Sequence, residues 1–293
     1  MRVSDSMVSD LARQGVGAAR SRALAAQRVA TTGKRVEVPS DDPAAAAAAR
    51  RRLAETERIR GMMRTAENGI TGLDVVDAAY AHMGELAEVA RAIAVQGANG
   101  TLTARERAEL SVQIGGLRSS LLAATSERVD GRYVLNGMRE DAPPYDATGT
   151  FVGDRNVREV EVSPGYRVAQ TVAGGDVLSP PSGTDVLASM EALRVALAAD
   201  DIAGIRAGID AMRASTDQIA EARSHTGTLM ASMEMARSLG ERLELRLVSE
   251  TSALLDADPF SSLSELEASR QALEQAVSIA ARLPMPGLVQ SMR

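Results

Sequence analysis

The sequence predicts a mainly α protein: a long antiparallel coiled-coil-like helical bundle with paired terminal helical arms and a small β-rich insert. Three observations carry this. The ten prolines leave two long stretches, 44–142 and 182–258, without any. A proline inside a helix costs about 3 kcal/mol, so such stretches, rich here in Ala, Leu, Met, Glu and Arg, are where long helices can form. Aromatic residues are only 2% and Trp is absent. A thick core would use large rings, whereas Ala, Leu, Val and Met suit narrow helix–helix seams. Finally, apolar residues recur in steps of three and four, the spacing of a coiled-coil seam.

The elements follow in order. An N-terminal arm carries Ala12, Val16, Ala19, Ala23, Ala26 and Ala30 at helical spacing. Asp42 then offers an N-cap and Pro43 suits the first helical position, where its missing N–H costs nothing. The helix that opens there has the seam Ile59, Met62, Ala66, Ile70, Leu73, Val76, Tyr80, Met83, Ala87, Ala90 and Ala94. It stops at Gly97-Ala98-Asn99-Gly100, an Asn-Gly turn. Thr103-Ala104-Arg105-Glu106 matches a capping box and starts a second helix with seam Leu110, Ile114, Leu117, Leu121 and Ala124. The short turn between the two predicts an antiparallel hairpin.

Residues 136–183 differ in kind. They hold Pro143, Pro144, Pro164, Pro180 and Pro181 and the rings of Tyr145, Phe151 and Tyr166. Val157 to Val162 alternates apolar and polar, as a half-exposed strand does. Pro164-Gly165 and Gly174-Gly175 are expected to be turns. The segment reads as a β insert hanging from the tip of the hairpin, removable without harm to the helices. A helix near 185–199 follows (Val186, Met190, Leu193, Leu197), then a break at Asp200-Asp201. A last long helix carries Ile202, Ile205, Ile209, Met212, Thr216 and Ile219, through Met233, Leu243 and Leu247 to Leu255. Unbroken, it would measure about 80 Å. A C-terminal arm repeats the N-terminal idea with Leu263, Leu266, Leu273, Val277 and Ala280.

The expected division is therefore arms 1–39 plus 256–293, a long-helix domain 40–135 plus 184–255, and the insert 136–183. The halves are roughly mirror-symmetric, so the termini should meet at one end of a rod. Residues 1–35 carry seven basic and two acidic groups, and residues 256–293 three basic and five acidic. That complementarity suggests the arms pair with each other, within one subunit or between subunits.

Composition excludes several function classes. Without Cys there is no disulfide framework, thiolate metal site or thiol nucleophile. The formal net charge of −6 does not suggest general nucleic-acid binding. No apolar run approaches the roughly 18 residues needed to span a bilayer. The opening residues lack the apolar stretch of a cleavable secretory signal.

Candidate chemistry is sparse. Ser40-Asp41-Asp42 could be a carboxylate pair for acid–base work, but before Pro43 and an alanine run it reads better as a cap facing the helix dipole. His82 and His225 lack ligand-spaced partners. Gly33-Lys34-Arg35 lacks the earlier Gly and the following hydroxyl of a phosphate loop. Arg50-Arg51-Arg52 and the basic arm could touch phosphates, but no reading helix or interleaved aromatics accompany them, so a solvated face and an assembly surface are the simpler account. The methionines lie mostly on the seams and read as packing. No catalytic, cofactor-binding or metal-binding residue is expected, and no cofactor.

Thr31-Thr32-Gly33-Lys34-Arg35-Val36 followed by Pro39-Ser40-Asp41-Asp42-Pro43-Ala44 closely resembles the N-terminal motif of bacterial flagellins and their hook-associated relatives. Gln96-Gly97-Ala98-Asn99-Gly100-Thr101-Leu102-Thr103 with Glu106-Arg107 is similar to that family's turn between its first two core helices. Gly131-Arg132-Tyr133-Val134-Leu135-Asn136-Gly137 looks like its strand entry, with a Leu where Phe is usual. The matches cover most of the N-terminal half in the right order. The start Arg2-Val3-Ser4, with Phe151-Val152-Gly153-Asp154, Gly165 and Gly174-Gly175-Asp176-Val177, fits the hook–filament junction branch better than filament flagellin. The C-terminus departs from both, since Pro284-Met285-Pro286 interrupts the last helix and only Leu288-Val289-Gln290 suggests the usual tail.

The resemblance implies a non-enzymatic structural adaptor between flagellar hook and filament, with filament flagellin as the alternative. A cytoplasmic coiled-coil scaffold binding nucleic acid through its N-terminal arm is a more remote one. The implied partners are other copies of itself, the hook-side junction protein, filament flagellin and an export chaperone on the C-terminal arm, with no nucleic acid and no membrane. It implies type III export without a cleaved signal, an extracellular place in the flagellum, and arms disordered in the free monomer.

Overall fold

The computed structural model describes residues 5–282 and contains, among them, seven helices and two small antiparallel sheets. The helices are α1 (Asp5–Thr32), α2 (Pro43–Gly97), α3 (Ala104–Ala124), α4 (Gly174–Leu178), α5 (Val186–Ala198), α6 (Ile202–Leu255) and α7 (Pro259–Arg282). The strands are β1 (Arg128–Val129), β2 (Arg132–Tyr133), β3 (Glu159–Ser163) and β4 (Tyr166–Ala169). Arg2-Val3-Ser4 and the interruption expected at Pro284-Met285-Pro286 lie outside the described residues. Two compact units are distinguished: residues 1–57 with 245–293, and residues 58–244. The insert belongs to the second.

The second unit is built on α2 and α6. The buried and half-buried positions of α6 run Ile205, Gly208, Met212, Ser215, Ile219, Ala222, Thr226, Leu229, Met233, Ala236 and Gly240, alternating steps of three and four. That alternation keeps one seam facing the partner helix. Across it, Arg60 pairs with Glu244 at 2.7 Å, Gly69 faces Met233, Asp77 pairs with Arg223 at 3.0 Å, and Gly84 faces Ile219. Partner numbers fall on α6 as they rise on α2, so the two helices are antiparallel. Apolar spacing alone overlooks Ser215 and Thr226 on this seam. Their hydroxyls donate to the carbonyls of Ala211 (2.8 Å) and Ala222 (3.0 Å) on their own helix, so they are buried without an unsatisfied group.

The capping box expected at Thr103 is present, with reciprocal bonds to Glu106. Asp185 caps α5 by accepting the N–H of Ala188 at 2.8 Å. The break at Asp200 is a residue in the left-handed region, φ 57°, between α5 and α6.

The insert differs from expectation in three ways. Its hairpin β3–β4 turns at Pro164-Gly165 as expected, with Val160 opposite Val168, but β3 starts at Glu159, two residues later than the alternation. Gly174-Gly175 opens the five-residue α4 and is not a turn. Most importantly, the insert does not merely hang from a hairpin tip. Tyr145, Val162, Val168 and Leu178 of the insert share one buried cluster with Tyr80, Met83, Leu121 and Leu187 of the helices. Arg118 of α3 donates to the Thr148 carbonyl, and Gln218 of α6 donates to the carbonyls of Val177 and Thr184. The sequence shows no such sharing because the partners are distant along the chain: Gln218 and Val177 lie 41 residues apart, and Tyr80 lies farther still from Val168 and Leu178.

A prediction follows for the deletion of residues 140–180 with a short turn rejoining the helices. It uncovers Tyr80, which is 1% exposed in the intact chain. The second unit should then melt at least roughly 10 °C lower, read by circular dichroism at 222 nm. An unchanged melting temperature would show that the shared cluster is dispensable.

Candidate assembly surface

The first unit joins the two terminal helices at a buckle made by the Thr31–Pro43 motif. Thr32 ends α1, and Gly33 follows at φ 69° with its N–H on the Val29 carbonyl at 2.9 Å. A left-handed residue after a helix end is where glycine is favoured. The next residues leave the helix and pair with the far end of the chain. Arg35 and Val36 donate their N–H groups to the Leu255 carbonyl at 2.8 and 3.1 Å, and Ala257 donates to the Gly33 carbonyl at 2.8 Å. The Arg35 guanidinium donates to the Leu254 carbonyl at 2.8 Å and to Asp42 at 3.2 Å. Val36, Ala45 and Ala46 are buried beneath, against Leu255.

Asp41 and Asp42 hold this buckle and are not paired for acid–base chemistry. Asp41 accepts the N–H groups of Glu37 (3.1 Å) and Val38 (3.0 Å) and lies 3.6 Å from Arg28. Asp42 accepts the Ala45 N–H at 2.9 Å, capping α2 as its position before Pro43 suggested. Both carboxyls sit below the ordinary aspartate value of 3.8, first because backbone N–H groups bond their charged forms. A carboxylate with a lowered folded pKa gives its full stabilisation above the unfolded value and loses it as pH falls through the lowered one. The side-chain carboxyl carbons of Asp41 and Asp42 should therefore titrate below 3.8 in an NMR experiment. Asp41→Asn should loosen the 33–42 loop without unfolding the second unit.

α1 and α7 run away from the buckle packed on each other. On α1, Ala23 and Ala26 are buried and Ala12, Val16, Ala19 and Ala30 half-buried, as the spacing predicted. On α7 the inward positions are Ser262, Leu266, Ser269, Leu273, Ala276 and Ala280. Leu263 and Val277, expected on this seam, are exposed. Leu266, Leu273 and Ala280 lie inward as expected, but at Leu263 and Val277 apolarity alone is one residue off, because Ser262 and Ala276 fill those positions against the alanine face of α1. The arms consequently keep an apolar outer surface: Met7, Leu11 and Leu24 on α1, Phe260, Leu263, Val277 and Ile279 on α7.

The opposite charges of the arms are not spent inside the chain. Among the described residues no ion pair joins α1 to α7; Arg28 pairs instead with Glu37 and Asp41, and Arg13 with Asp10. Arg20 and Arg22 on one helix and Glu265, Glu267 and Glu274 on the other face solvent. Two small helices with charge and apolar area left over present a surface fit to be covered by protein.

The other candidate residues are scattered. His82 and His225 are both exposed on separate helices. Arg52 pairs with Glu250 at 2.8 Å, while Arg50 and Arg51 are exposed. Among the described residues no three His, Cys, Asp or Glu side chains are grouped to hold a metal, and no helix is long and apolar enough to cross a membrane.

Arg107, singled out only as part of a matching motif, has a structural role that the sequence does not reveal. It is 5% exposed on α3. Its guanidinium donates to the carbonyls of Gly97 and Asn99, each at 2.8 Å, and pairs with Asp200. One side chain thus ties the end of α2 to the break between α5 and α6.

Comparison with known proteins places these features. A family model for the bacterial flagellin N-terminal helical region matches residues 3–140. The chain is similar to flagellar hook-associated protein 3 of Salmonella typhimurium (strain LT2), 24% identical over 299 residues covering 94% of each. Its fold is that of a flagellar hook-associated protein from Vibrio parahaemolyticus, with TM-score 0.68 and 19% identity over 74% of this chain and 100% of that one. A flagellar junction protein from Legionella pneumophila has the fold too, with TM-score 0.55 and 13% identity over 73% of this chain and 100% of that one.

Proposed function

We propose that this chain, a member of the bacterial flagellin superfamily, is a structural adaptor at the junction of the flagellar hook with its filament. The observation that carries the reading is the paired arm, α1 with α7, buckled at the motif shared with flagellins and left with apolar area and unspent charge outside. A helix pair of mostly alanine and serine buries little area for its length, and more burial comes only from neighbours.

The same reading supplies the finer points. The chain acts by packing and catalyses no reaction. It leaves the cell by the flagellar type III route with no cleaved signal, and a dedicated chaperone covers the C-terminal arm until it assembles. That arm is the natural chaperone target because its exposed Phe260, Leu263, Val277 and Ile279 need cover before assembly.

The test is a deletion. Cells without this chain should keep hooks, lose filaments and secrete monomeric flagellin. Labelled protein should form a single band at the hook's end. Labelling along the whole filament would overturn the junction reading in favour of filament flagellin.

A further inference from the structure

Beside the buckle lies an open groove of about 390 Å³. Val36, Val38, Pro39, Leu53 and Leu255 line it, and Lys34 and Arg50 stand along it. Val38 and Leu53 are among the exposed large apolar side chains, so the groove is uncovered in the single chain. Lys34 is the only lysine of the sequence, and neither it nor Arg50 has a carboxylate partner among the described residues.

The same unit presents the complement. Phe260, 84% exposed, is the most exposed large apolar side chain among the described residues. It sits in the first turn of α7, and Asp258 fixes that turn by accepting the N–H groups of Phe260 and Ser261, each at 3.3 Å. Glu265 and Glu267 follow on the same helix, exposed and without an ion pair among the described residues. Phe260 does not line the groove of its own chain.

We infer that Phe260 of one copy docks in the buckle groove of a second copy, with Lys34 and Arg50 meeting Glu265 and Glu267 of the incoming α7. This rests on the assembly reading above and gives it a named contact. A ring buried against Val38, Pro39 and Leu53 removes the largest exposed apolar group on the arms from water. A cation beside the groove can lie over the ring face, and the carboxylates of α7 satisfy the remaining charge. Ring and groove are separate patches, so a copy whose groove is filled still offers its own Phe260. Such head-to-tail contacts close into a ring where the rotation from copy to copy closes, which fits a single band at the hook's end.

The absence of cysteine makes the test clean, because an introduced thiol reacts alone. Ser264→Cys, one turn beyond Phe260, and Leu53→Cys, at the groove, are expressed as separate chains in one cell. Flagella from these cells, treated with a short bismaleimide, should yield a crosslinked pair of this chain. Ser264→Cys with Val112→Cys, an exposed position in the second unit, should not. Adding Phe260→Ala or Arg50→Glu should lower the crosslink at least about tenfold. Glu265→Arg on the incoming chain should restore part of the Arg50→Glu loss. Equal crosslinking with Val112→Cys, or a yield indifferent to Phe260→Ala, overturns the docking. If that happens while the protein still bands at the hook's end, the adaptor reading stands; if it never reaches the hook, that reading fails separately.

Discussion

A chain without residues 1–35, or with Ala19 and Ala23 both replaced by Asp, is expected to stay soluble and helical yet restore no filaments. Ala23 is buried and Ala19 half-buried where α1 meets α7. No ion pair crosses that seam among the described residues, so a new carboxylate there would be buried without a partner. The second unit should not notice, because its buried cluster draws only on residues between Ala66 and Ala236. Thermal melting of the long-helix signal should hold within a few degrees while motility falls to that of a deletion strain. Hydrogen exchange offers a second reading. Amides of 5–32 and 259–282 should exchange far faster in the monomer than those of 70–97, and slow on assembly. Equal protection of both arms in the free monomer, or motility with an arm-less chain, would show that the arms are not the assembling element.

The second large effect is expected at Arg107. Arg107→Leu removes three hydrogen-bonded contacts at once and leaves the carbonyls of Gly97 and Asn99 in place without their donor. Asp200, half-exposed, can turn to water and loses less. The cost should be about 2–4 kcal/mol, a fall of roughly 5–15 °C in the melting temperature of the second unit. Arg107→Lys should recover only a small part, since one ammonium cannot reach two carbonyls and a carboxylate as the planar fork does. Urea unfolding should show a lower midpoint with an unchanged slope. A loss under about 0.5 kcal/mol would mean that water replaces the guanidinium without penalty.

Much of the fold is legible locally. Pro43 behind Asp42 and the capping box at Thr103 mark two helix starts with side chains adjacent to the backbone groups they satisfy. The unbroken course of α6 from Ile202 to Leu255 shows in its apolar spacing and lack of proline. The buckle was legible only as a motif. That Asp41 and Asp42 act as caps could be argued from their neighbours, but the carbonyls of Leu254 and Leu255 that receive Arg35 lie about 220 residues away.

What the sequence by itself determined is therefore the position and length of the long helices, together with the motifs of the N-terminal half. These depend on hydrogen bonds and side-chain periods that span at most a few residues. Only the tertiary structure decided which face of each helix is covered. Ser262, Ser269 and Ala276 lie inward on α7 beside Leu266 and Leu273, while Leu263 and Val277 lie outward, because small side chains fit closely against the alanines of the facing helix. The insert likewise became part of the core when Tyr145, Val168 and Leu178 met Tyr80. Arg107 became a staple when the carbonyls of the Gly97–Asn99 turn and the Asp200 carboxylate, far apart in sequence, converged on one guanidinium. Burial is a property of pairs far apart in sequence, and no local pattern records which partner will come to lie opposite.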